Sequence, residues 1–138
     1  MMKVTKADFL GVIKAEPNLC GSGLATTQYW RSSRRQINFD ENRQDFIDNG
    51  FRMFKDACEF LSGVQLRKTI NRKSGSSYGL KHKAEKWAGD YISNGALIAA
   101  ALHLGIQFEQ IPDTQNVYLA VSSRCPLVNE TAGTRVSG

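Results

Sequence analysis

Tyr78, His82 and Glu85 stand four and three residues apart, so on a helix they share one face and can form a hydrogen-bonded row. A phenol, an imidazole and a carboxylate in line are groups from which general acid–base catalysis is built. Such a row still needs a nucleophile or a third partner, which Tyr91, Ser93 or Asn94 from the following turn could supply. As a metal site it is short of ligands: His82 and Glu85 give two donors, and His103 sits in an apolar stretch with no carboxylate beside it. The row therefore reads first as a structural network, second as an anchor for a partner and third as an enzyme site. No catalytic residue, metal or cofactor is assigned.

The stronger chemical signal is charge. Residues 64–87 contain seven cations, Arg67, Lys68, Arg72, Lys73, Lys81, Lys83 and Lys86, against the single acid Glu85. That surplus of six exceeds the formal +5 of the whole chain, so the remainder is close to neutral and the positive charge is aimed at something anionic. Arg31, Arg34 and Arg35 can widen this surface. Tyr29 and Trp30 beside them could stack unpaired bases, although Trp30 is as well explained as core. Lysines that merely keep a small protein soluble are the competing explanation for the whole cluster. The run Ser74-Gly75-Ser76-Ser77 before a helix could offer backbone N–H groups to a phosphate, but no GK[ST] follows it, and N-capping by Ser76 or Ser77 is the simpler expectation.

The elements that must position these groups follow from periodicity and punctuation. Residues 6–15 read as a short helix stopped ahead of Pro17. Ile47, Phe51, Phe54, Cys58 and Leu61 recur at steps of four and three, predicting one long amphipathic helix over 41–62, with Asp40 as its N-cap and Gly63 as its stop. Residues 66–74 fit a short strand or a loop, and 28–38 admit no assignment. Helices at 78–88 and 96–104 form a helix-turn-helix pair, the second almost wholly apolar and hence buried. Residues 106–110 and 117–121, joined by a turn around Pro112, read as a β-hairpin. The expected fold is α+β and mostly helical: a long central helix, a helix pair and a small C-terminal hairpin.

Helix, turn, helix and hairpin is the order of a winged helix, whose second helix reads the major groove. Residues 96–102 have no side chain that could touch a base edge, so any nucleic acid must meet the preceding helix through Lys81, Lys83 and Lys86 and the 67–73 segment. Contacts of that kind grip the backbone and position without specifying sequence.

At 138 residues, with 41% hydrophobic and 22% charged residues, the chain has the composition of one folded domain, expected over 1–122 with a flexible tail at 123–138. Cys20, Cys58 and Cys125 form no CxxC pair and leave an odd thiol, which favours a reducing cytoplasm. The N-terminal residues lack the apolar core of a signal peptide, and the longest apolar run falls far short of the roughly 20 residues of a membrane span.

Residues 77–85, Ser-Tyr-Gly-Leu-Lys-His-Lys-Ala-Glu, and 91–101, Tyr-Ile-Ser-Asn-Gly-Ala-Leu-Ile-Ala-Ala-Ala, resemble a pattern in small proteins of bacteriophages, plasmids and integrated mobile elements to which no activity is attached. The resemblance implies a bacterial host cell and either a DNA-binding accessory or an inhibitor of host defence. The expectation is thus a non-enzymatic protein that engages nucleic acid or a nucleoprotein complex through its basic face. The alternative is an inhibitor of anti-CRISPR type that docks on an acidic protein surface, with Tyr78, His82 and Trp87 as its anchors. An enzyme built on the Tyr78/His82/Glu85 row stands third. Oligomeric state is not encoded in any of these features.

Overall fold

The apolar run after Ser93 forms α5 (Asn94–His103), and every residue from Asn94 to Ala101 is buried. Ser93 starts this helix as its N-cap, its Oγ accepting from the Ala96 N–H at 3.1 Å. Small side chains at Ala96, Ala99, Ala100 and Ala101 let neighbours approach closely, and Gly95 is the extreme case: a Cβ there would collide with the Cys20 carbonyl. The computed structural model describes residues 3–25 and 33–128, with side chains from residue 38 onward in the second stretch. Within it α5 is the hub, packed by α1 (Lys6–Ala15), α3 (Phe51–Ser62) and α4 (Ser77–Ala88). The short hairpin of β1 (Leu19–Cys20) and β2 (Gly23–Leu24) closes over its N-terminal end.

The helix expected over 41–62 is two helices, α2 (Ser33–Asn49) and α3, broken at Gly50. Any Cβ at Gly50 would lie 2.6 Å from both the ring and the carbonyl oxygen of Phe46, so the chain comes too close to itself for a side chain. Asp40 consequently lies inside α2 and not at a helix start, whereas Gly63 does end α3. The apolar ladder survives the break. Phe9 of α1 packs edge-on to Phe46 at 5.1 Å and tilted against Phe54 at 5.1 Å. Arg43 of α2 fixes the corner after α1 by donating to the carbonyls of Ile13, Glu16 and Leu19. A capping box between Thr5 and Asp8 starts α1, whose bounds agree with the sequence expectation.

The C-terminal hairpin is present as β3 (Phe108–Gln110) and β4 (Val117–Leu119), antiparallel with Glu109 opposite Tyr118. Residues 66–74 are a loop tethered to the far side of β4 rather than a strand: a single bridge pairs Leu66 with Val121, and the Asn71 N–H donates to the Leu119 carbonyl. Buried Asn71 organises that loop, its Nδ2 donating to the Val121 carbonyl and its Oδ1 accepting from the N–H groups of Lys73 and Ser74. Beyond residue 122, in the stretch expected to be a tail, Cys125 and Val128 are buried in the core. The three cysteines are free and buried. Among the described residues no helix is long and apolar enough to cross a membrane.

Candidate functional site

Leu80 and Ala84 are the fully buried positions of α4, and they fix how the helix rotates its other residues. Tyr78, His82 and Glu85 do come together. The Tyr78 and His82 rings meet edge to face at 4.7 Å, and His82 Nδ1 lies 3.0 Å from Glu85 Oε1. The same oxygen accepts from Lys81 Nζ at 3.0 Å, while Glu85 Oε2 accepts from the Ile92 N–H at 3.4 Å. Lys81 is therefore a correction to the expected basic face. Its side chain is 8% exposed, its ammonium is bound to Glu85, and it lies 4.8 Å from the centre of the Tyr91 ring and 5.8 Å from that of Tyr78. A lysine so enclosed is part of the protein's own wall. Of the partners such a row would need, Ser93 is taken up as the N-cap of α5, and no group of three or more metal-ligating side chains exists among the described residues. His103 is exposed, its ring and that of Phe54 meeting edge to face.

The cations of 67–73 divide by what they touch. Arg72 makes a two-pronged contact with Glu109, at 3.0 and 2.7 Å, which raises the guanidinium pKa and lowers that of the carboxyl. Arg67 donates to the carbonyls of Thr69 and Ile70 and so stiffens its own loop. Lys68, Lys73 and Lys86 are exposed and Lys83 is half-buried, and none of the four has an ion-pair partner among the described residues. Arg31, Tyr29 and Trp30 lie outside the described residues. Arg34 and Arg35 fall in the first turns of α2, with side chains outside the description.

The serines before α4 serve the fold. Ser76 is the N-cap residue without a side-chain capping bond, and buried Ser77 accepts from the Val117 N–H at 3.0 Å, joining α4 to β4. Neither thiol with a shifted pKa suits nucleophilic chemistry, since burial pushes Cys20 up and Cys58 up to about 12. No family model, curated protein or solved structure matches the chain. The site must be argued from its own geometry.

That geometry contains a feature the sequence did not announce. A cleft of about 610 Å³ opens between the β1–β2 turn, α2, the head of α4 and the turn before β4. Tyr78, Tyr91 and Lys81 form one lip, Phe46 and Met53 supply apolar surface, and the rest is mainly amide and hydroxyl groups. Asn42 holds the β1–β2 turn by accepting from the Gly21 N–H at 2.7 Å and donating to Ser22 Oγ at 2.9 Å. Asn94, at the start of α5, donates to the Ser22 carbonyl and to Asn116 Oδ1, both at 2.9 Å. Arg52 of α3 fixes the lip from behind, donating to the Tyr91 carbonyl at 2.6 Å while paired with Asp56 and Asp90. Two buried acceptors in this wall, Asn94 Oδ1 and Gln115 Oε1, have no hydrogen-bond partner.

Proposed function

We propose that the protein is a non-enzymatic binder of nucleic acid, or of a nucleoprotein complex, that grips the phosphate backbone with Lys68, Lys73, Lys83 and Lys86. One observation carries the reading. Glu85 and Glu109 are engaged by Lys81 and Arg72, and the other four lysines have no ion-pair partner among the described residues, three of them exposed and Lys83 half-buried. Lysine is a point charge on a flexible stem, suited to following a phosphate backbone and poor at reading a base edge, so the binding is expected to depend on charge and shape. The resemblance of the α4–α5 segment to proteins of mobile elements fits such a role in a bacterial host.

The test is fluorescence anisotropy with labelled single- and double-stranded DNA and RNA over a salt series. Four phosphate contacts give duplex DNA a slope of log affinity against log salt of about −3 to −4. Reversing the four lysines to Glu should abolish binding and leave the melting curve in place. Affinity unchanged by the reversal would sink the proposal. An absence of binding at low salt would assign the face to an acidic protein surface, as an inhibitor of host defence would use it.

A further inference from the structure

The cleft beside α4 is not used by the backbone contacts just proposed, and its wall has a chemistry of its own. We infer that it receives a nucleobase, either of a single strand whose phosphates lie on the lysines or of a free nucleotide. The strand form rests on the nucleic-acid reading above. Three features of the wall converge on that ligand. First, Tyr78 and Tyr91 are 54% and 58% exposed at the lip, although aromatic rings ordinarily gain by burial. Open aromatic rings next to a cavity offer the stacking platform on which bases of unpaired strands rest.

Second, the wall is short of donors. Asn94 spends its amide N–H groups on Ser22 and Asn116, which leaves Asn94 Oδ1 unpaired, and Gln115 Oε1 is unpaired as well. Buried acceptors without donors cost stability, and both oxygens are covered as they stand, so a donating ligand reaches one only where its side chain can turn. Gln115 is only half-buried, so its amide can swing toward the opening. Asp45, which accepts from Asn49 Nδ2 at 2.8 Å, adds a further acceptor. Exocyclic amino groups of adenine, cytosine and guanine are planar donors attached to a ring that stacks, and amide side chains pair with such edges.

Third, the size agrees. A volume of about 610 Å³ lies in the usual range for small-ligand sites. The ammonium of Lys81 stands between the two rings but is bound to Glu85, and Lys83 and Lys86 lie on the other side of α4, so a strand that reaches both the cleft and those lysines must cross the helix.

The deciding experiment compares a base-bearing single strand with an abasic strand of the same length, which keeps every phosphate and removes every base. Wild-type protein should prefer the base-bearing strand on the order of 10-fold. Tyr91→Ala, an exposed position, should erase that preference without weakening abasic binding, and Gln115→Ala should reduce it while leaving the melting temperature unchanged. Equal affinity of the wild-type protein for both strands overturns the inference and leaves the lysine reading standing. A preference that persists in both variants overturns it too, because the base is then read elsewhere. Binding of neither strand overturns the lysine reading, and a mononucleotide arm then decides the cleft alone. Saturable binding of a nucleoside monophosphate that Tyr91→Ala removes assigns it to a free nucleotide, and no binding rejects the inference.

Discussion

Lys81 and Lys83 are the same residue two positions apart on one helix, and the fold gives them opposite employment. Lys81 is enclosed by Glu85, Tyr78 and Tyr91, while Lys83 stands half-buried without an acidic partner among the described residues. At about 100° per residue they point some 160° apart, whereas Lys86 returns to within about 60° of Lys83. Position around the helix, not local composition, decides whether a cation helps to build a wall or is presented to a partner. The same division separates the two ion pairs of the region. Lys81–Glu85 has side chains 8% and 20% exposed, and Arg72–Glu109 has them 63% and 43% exposed.

The largest expected effect is therefore at Lys81. Lys81→Glu places a second carboxylate beside Glu85 at a largely buried position and should cost about 3 kcal/mol in a denaturant-unfolding experiment. Lys83→Glu should stay within about 0.5 kcal/mol while weakening nucleic-acid binding. Equal stability losses in the two variants would erase the distinction between inner and outer lysines. A smaller effect is expected from Lys81→Met, about 1 to 2 kcal/mol, because the apolar stem is retained and Glu85 keeps the Ile92 N–H and the His82 ring. If Lys81→Met unfolded the protein, the ammonium would be holding more than Glu85.

Some of this division is legible in the amino-acid sequence itself. The rotation that separates Lys81 from Lys83 and Lys86 follows from the helix that the residue pattern predicts, although composition alone groups all three on one basic face. Helix α1, the apolar α5 and the C-terminal hairpin are legible because their signals are local: Pro17 after the first, an unbroken apolar run in the second, strands around the Pro112 turn in the third. The break at Gly50 is hidden because the ladder of Ile47, Phe51, Phe54, Cys58 and Leu61 runs through it undisturbed. At Gly50 the chain lies too close to the Phe46 ring and carbonyl for a side chain, a steric detail that the apolar ladder does not record. The cleft lies beyond the reach of sequence patterns altogether. Its central bond joins Asn94 to Ser22 across 72 residues, and isolated Asn and Ser residues in a sequence read only as turn formers.

The smallest effect concerns the outer pair, and it tests the comparison from the opposite side. Arg72 holds the Glu109 carboxyl below the usual carboxylate pKa, chiefly through their hydrogen bond. A carboxyl depressed in the folded state adds stability above its unfolded pKa and loses it as pH falls through the folded value. Any contribution from this pair is therefore present at neutral pH and disappears in acid. Because the pair is open to solvent, salt screens it, with a Debye length of roughly 4 Å at half-molar salt. Glu109→Gln should lower the melting temperature slightly at pH 7 in low salt, and by nothing measurable either in high salt or below the folded pKa of Glu109. Lys81→Met should keep more of its destabilisation in high salt, since that pair is far less exposed than Arg72–Glu109. If the two variants responded alike to salt, burial would not be what separates the cations that hold this protein together from those it turns outward.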